Sequence, residues 1–199
     1  MFSSKQQAFE IIDKSQSILI VLPKDASLDN IACALAFFNF FRDTDKKAEI
    51  VCQELTLEKI SFLPLSSEMK KEPAAPRQFI ISVNAAENQI KQLRYEAQEK
   101  ELKIFIFSHG KIEQKDLKLE PGPFNYDLII IVGAPDLESL GHYYEKYPDL
   151  FFEKPILNID NHPGNEHYGE INLVEPTASS CSEIAADLFN AFFSTQITP

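Results

Sequence analysis

The stretch "NIDNHPGNEHYGEINLVEPTASSCSE", Asn158 to Glu183, decides how this chain reads. It begins at the end of "KPILNID" (154–160), an apolar run of strand length. A polar loop follows, and the last residues open a helix: Ser180 and Glu183 have capping-box spacing, and Ile184, Leu188 and Phe192 recur along one face beyond them. Strand, polar loop and capped helix in that order make one unit of an α/β fold. The loop then lies past the carboxyl end of a strand, where such folds hold ligands.

Working outward, the same alternation recurs. Phe2 to Lys14 reads as an amphipathic helix with Ala8, Phe9, Ile11 and Ile12 on its apolar side. "SILIVLP" (17–23) is apolar without interruption, which suits a strand covered on both faces, as in a parallel sheet. Leu28 to Phe41 is a helix apolar almost all round, implying burial against a sheet. Further strands are predicted at 47–52, 77–84, 101–108 and 126–133, and Asp136 is placed to cap a turn and helix ending near Tyr147. The fold class is therefore α/β, a mostly parallel sheet flanked by helices, and residues 1–199 read as one domain. The strand ends after Pro23, Asn84, Gly133 and Asp160 become the candidate ligand positions.

Composition narrows the function. At 199 residues and 44% hydrophobic, the chain can bury a sizeable core. Its net charge of −11 gives no general attraction to phosphate backbones, which argues against duplex DNA as a partner but not against a small nucleotide held locally. Cys33, Cys52 and Cys181 form no CxxC pair, excluding zinc ribbons and redox dithiols; Cys33 and Cys52 read as buried thiols. The N-terminus has no signal-peptide pattern, and the densest apolar stretch, "IACALAFFNFF", is too short to cross a bilayer. A cytoplasmic protein without a membrane partner is the expectation.

Taken together, "PKDASLDNIACALAF" after the first strand, "GAPDLESLG" after the strand at 126–133, the strand into Asp160, "NEHYG", "INLV" and the "ASSCSEIAADL" helix start resemble the DHH phosphoesterases. That family includes RecJ-like single-strand exonucleases, nano-RNases, cyclic-dinucleotide hydrolases and manganese pyrophosphatases. The resemblance covers about Ser17 to Pro199. It implies the N-terminal DHH domain of the family, lacking its C-terminal end and the second, substrate-binding domain. It also implies hydrolysis of a phosphoester at a pair of Mn or Mg ions, on short oligonucleotides or nucleotides, and a tendency to homodimerise. Two divalent ions need several carboxylates and imidazoles around them.

Those ligands are mostly missing. The first-motif His falls on Pro23, the first Asp on Ser27 and the second on Asp29, which is retained. The Asp that bridges both metals falls on Gly133, and the middle His of the D-H-H triplet on Asn161. Asp160, which acts in the family by orienting neighbours, and His162, which would touch the phosphate, remain. The last metal Asp would lie past Pro199. Asp25 and Asp136 are the nearest substitutes, and neutral residues at the bridging position would leave two dications facing each other unscreened.

Each survivor also has a plainer reading. Asp29 can cap the buried helix, His162 can be a solvated loop residue, and Ser180 can serve as a helix cap alone. His167 reads as a packing residue, and His109 and His142 as ordinary surface or turn positions. The leading expectation is a DHH-like domain with a degenerate site, retaining nucleotide binding or a scaffolding role, with Mn or Mg weakly bound or not at all. The alternatives are an active Mn/Mg-dependent phosphodiesterase on short oligonucleotides or dinucleotides, and an interaction domain without a ligand.

Overall fold

A computed structural model describes residues 3–54, 57–74, 77–86 and 89–192. From the N-terminus, α1 (Ser4–Lys14), β1 (Ser17–Val21), α2 (Leu28–Arg42) and β2 (Lys47–Val51) alternate, and one short turn of helix, α3 (Leu57–Ile60), follows. Four strands then come without a long helix between them: β3 (Arg77–Val83), β4 (Ile90–Ala97), β5 (Leu102–Ser108) and β6 (Leu117–Phe124). The alternation resumes with β7 (Leu128–Val132), α4 (His142–Lys146), α5 (Pro148–Glu153), β8 (Ile156–Asp160), β9 (Ile171–Val174) and α6 (Cys181–Phe192).

Five of the strands form one parallel sheet in the order β2-β1-β7-β8-β9. Its central strands are apolar on both sides because both sides are covered. Ile18, Ile20, Ile130, Val132, Leu157 and Ile159 face a core built with α1, α2 and α6, including Phe37, Phe41 and Leu188. Leu19, Val21, Ile129, Ile131 and Ile156 face the other way, against Tyr143, Leu150 and Phe151 of α4 and α5. Each fully buried side chain of this size contributes roughly 1.5–3 kcal/mol. The α/β architecture with a parallel sheet flanked by helices is thus as the sequence predicts.

Helix starts are set by local chemistry. Ser3 caps α1 with a reciprocal box to Gln6. Ser27 caps α2 in the same way with Asn30, and the Ser180 hydroxyl accepts the Glu183 backbone N–H at 3.1 Å at the start of α6. The Glu183 side chain turns instead to Ser179, taking both its N–H and its hydroxyl.

The chain divides into two compact units: Met1–Pro76 with Phe124–Pro199, which contains the parallel sheet, and Arg77–Pro123. The expectation of one domain over 1–199 did not anticipate this division. Strands predicted at 77–84 and 101–108 form, but outside the parallel sheet: β3 pairs with β6, and β4 with β5 in an antiparallel ladder. The position after Asn84 is therefore no carboxyl end of the main sheet. Its backbone N–H is bonded to Asp116 within the second unit.

Candidate functional site

Three of the four predicted strand ends converge. A pocket of about 630 Å³ at the carboxyl edge of the parallel sheet is lined by Pro23, Ser27, Asp29, Asn30, Gly133, Asp136, Asn161 and His162, among others. β1 ends at Val21, Leu22 adds one more bond to the Val51 carbonyl, and Pro23 has no N–H to extend the ladder. β7 ends at Val132, and the next residue, Gly133, has its N–H held by the Ile159 carbonyl at 2.8 Å. β8 delivers Asp160, Asn161 and His162.

Gly133 has φ +71, and a Cβ built on it would fall 2.5 Å from Asn30 Cγ and nearer still to Nδ2. The Asn30 amide stands where a longer residue at 133 would project. It is fixed there on both sides: Oδ1 accepts the Ser27 N–H at 2.9 Å and the Ser27 hydroxyl at 2.8 Å, and Nδ2 points to Cys181 Sγ at 3.7 Å. Asn30 was not singled out by the sequence reading. The signal available was the Ser27-to-Asn30 capping spacing at the mouth of a helix that otherwise has no buried polar residue.

Asp29 does not cap α2, as its plainer reading held; Ser27 does. Asp29 reaches across the chain to α6, where Oδ2 accepts the Cys181 N–H at 2.7 Å and Oδ1 the Ser182 N–H at 3.2 Å. A carboxylate on the free N–H groups of a helix N-terminus is favourable in charge as well as geometry. Both of its oxygens are thereby engaged.

Asp160 is fully buried, with one oxygen accepting from Asn161 N–H (2.9 Å) and His162 Nδ1 (2.6 Å) and the other from Asn165 Nδ2 (2.7 Å). It orients its neighbours and turns the far nitrogen of the exposed His162 ring away from itself. Asn161 sends its amide to the Ala178 carbonyl and takes the Cys181 thiol at 3.7 Å. Behind them, Asn158, Asn165, Tyr168 and Asn172 are joined by hydrogen bonds, with the Tyr168 hydroxyl on the Ala134 carbonyl. Burial pushes the Tyr168 phenol up, and the Asp160 and Asp136 carboxylates add to it. This network explains why "NEHYG" follows the triplet. Within it His167 is no packing residue but an exposed one at φ 53; the packing side chain is Tyr168.

Of the substitute carboxylates, Asp136 accepts both the N–H and the hydroxyl of Ser139. It braces the 3-10 turn Glu138–Leu140 before α4, although the N-cap position there is Leu137 and not Asp136 as the sequence predicts. Asp25 lines the pocket beside Lys24. Among the described residues, no three His, Cys, Asp or Glu side chains converge in a way that would hold a metal ion. Cys181 is no nucleophile: burial first, then the Asp29 and Asp160 carboxylates, push its thiol up to about 12, against the lowering effect of bonds at Asn161 and Asn30. Cys33 and Cys52 are buried free thiols, as predicted. Among the described residues, no helix is long and apolar enough to cross a membrane.

No family model matches the sequence, and comparison with curated proteins gives no match. Among solved structures, the chain is similar to the crystal structure of an exopolyphosphatase-related protein from Bacteroides fragilis, at 13% identity and a TM-score of 0.66. The likeness covers 98% of this chain and 45% of that one, so the chain spans less than half the length of its neighbour. What is shared is the fold, an α/β architecture with a parallel sheet flanked by helices.

Proposed function

We propose that the chain is a DHH-like phosphoesterase domain whose two-metal hydrolytic centre has given way to a neutral hydrogen-bonded plug, leaving a non-hydrolysing domain with a scaffolding role. The observation that carries this is the Asn30 amide standing in the room of a side chain at Gly133, the position of the bridging carboxylate in the family resembled. In support, Asp29 is committed to α6, Ser27 to Asn30, and Asn161 to Ala178 and Cys181. The donors present do not suit a pair of Mn or Mg ions, which would supply charge neutralisation and an activated water. The pocket sets one lysine, Lys24, against Asp25, Asp29, Asp136 and Glu138. That balance opposes a phosphate bound without metal, so scaffolding is favoured over nucleotide binding.

The second reading, an active Mn- or Mg-dependent phosphodiesterase on dinucleotides or short oligonucleotides, draws on the same acidic lining. Excess carboxylate is what a divalent cation would neutralise, and His162 stands exposed at the rim as a phosphate contact. Incubation with millimolar manganese and the dinucleotide pApA separates the two. No turnover and no manganese heat in calorimetry are expected. Turnover abolished by Asp25→Asn, with the fold intact, would overturn the first reading in favour of the second.

A further inference from the structure

The five-stranded sheet has two edges, and the chain treats them differently. The β2 edge is closed from within. Lys70 lies along it, its N–H on the Ile50 carbonyl at 2.9 Å and its own carbonyl accepting the Cys52 N–H at 3.0 Å. At the other end stands β9, and among the described residues no such segment lies along its outer side. The register shows which groups are left over. The Glu175 N–H bonds to the Asp160 carbonyl, so the odd-numbered residues of β9 turn their backbone groups toward β8. Asn172 and Val174 turn theirs outward, and no described residue takes up these N–H and C=O groups. The Asn172 side chain is engaged with Asn158 and Gly169 instead. Sheet edges are ordinarily guarded by a charge, a proline or a bulge within the strand; Ile171–Val174 has none of these.

A groove accompanies this edge. A cavity of about 500 Å³ is lined by Asn172, Leu173 and Val174, together with Lys5, Ile184 and Asp187. Successive side chains of a strand point to opposite faces, so a cavity touching three in a row borders the strand's edge. It shares no lining residue with the pocket at Gly133.

The charges select the occupant. Glu170 and Glu175 bracket β9, both exposed and neither ion-paired among the described residues. Glu183 and Asp187 line the groove, and Lys5, the one cation among its described lining residues, is paired with Asp187. A second copy pairing edge to edge would set its Glu170 beside Glu175 of the first, and like charges across a ladder destabilise it. A nucleic acid would bring phosphates to the same carboxylates and has no peptide backbone to add to the ladder. An extended, basic segment of another protein meets both requirements.

We propose that β9 accepts an additional strand at its free edge, an extended segment of a partner protein with Lys or Arg on either side of a short β-branched core. The segment's main chain pairs with Asn172 and Val174, and its flanking cations meet Glu170 and Glu175. Alternate side chains enter the groove beside Leu173 and Ile184. Such docking is independent of whether the pocket at Gly133 hydrolyses anything.

The probe is a fluorescein-labelled peptide, KKVTVTVKK, titrated with the full chain and read by fluorescence anisotropy. Saturable binding is expected, and it should weaken about tenfold or more for EEVTVTVEE, or for the chain carrying Glu170→Lys and Glu175→Lys. Val174→Pro removes an outward donor and leaves the bonds to β8 in place, as proline on an edge strand can. It should abolish binding while circular dichroism and thermal melting match the parent. KKVTVTVKK with its central amides N-methylated tests the same hydrogen bonds without altering the protein, and should not bind. No binding at millimolar peptide, equal affinity for the Lys- and Glu-flanked peptides, or binding that survives N-methylation would each overturn the proposal. So would sedimentation equilibrium showing two copies of the 22.6 kDa chain joined through an edge that Val174→Pro disrupts.

Discussion

Asn30 and Gly133 occupy one space: the amide of the first fills the volume that any side chain on the second would need. Helix α2 and the end of strand β7 are thereby fitted to each other at the pocket floor, and no side chain can be added at 133 while Asn30 keeps its place.

Restoring a carboxylate with Gly133→Asp should therefore not restore a metal site. It should destabilise the fold by about 2–4 kcal/mol, combining overpacking with a non-glycine residue at positive φ. Adding Asn30→Ala should recover part of the loss, which urea denaturation of the two variants would register. A single Gly133→Asp variant as stable as the parent would contradict the shared-volume account.

Asp29→Ala removes the acceptor for two N–H groups of α6. The expected cost is about 1–2 kcal/mol, the range for loss of a helix cap, in buffer containing a chelator. Asp29→Asn, which keeps one oxygen, should lose less. If the carboxylate instead served a metal, Asp29→Ala would leave chelated protein unchanged in thermal melts.

Asn165 donates to Asp160 and to the Ala134 carbonyl and accepts from Asn158, all in buried surroundings. Asn165→Ala strands the buried Asp160 Oδ2 and takes one of two partners from the Ala134 carbonyl and the Asn158 amide, and should cost about 2–4 kcal/mol, more than loss of a surface amide. His167→Ala, two residues on and exposed, is the matched control and should change stability little. Equal losses in the two would refute the network's role.

Burial pushes the Glu72 carboxyl up, but hydrogen bonds from Tyr147, Lys146 and His142 outweigh it and hold it below the ordinary glutamate range. A lowered folded value means stability that is present above the unfolded value and is lost as pH falls through the folded one. Glu72→Gln should thus melt lower than the parent at pH 7. The gap should close as pH drops below about 4, under the ordinary glutamate value. A gap that stays constant with pH would remove the electrostatic explanation.

Much of the first unit is legible in the sequence, for a physical reason. The runs at 17–23, 126–133 and 154–160 are apolar on both faces, and only strands covered on both sides tolerate that. The four-residue β9 is too short to signal by periodicity, although "INLV" marks its place. β4, written "IKQLRYEA", alternates with charges and reads equally well as loop or helix, so the second unit goes unannounced. The convergence of Pro23, Gly133 and His162 on one pocket follows from the rule that ligands lie past strand ends. Asn30 plugging the space at Gly133, and Asp29 reaching α6 rather than capping α2, are not legible. Both join residues distant in sequence, and capping spacing looks only to the residue's own helix.

The tie from Asp29 to the start of α6 spans 152 positions, and β1 gains its β7 neighbour only at Leu128–Ile131. During synthesis, β1 therefore gains one neighbour from residues 47–51, the other only from 128–131, and Asp29 its partners only at Cys181 and Ser182. Contacts so distant in sequence close late, so the pocket floor is among the last parts of the first unit to form.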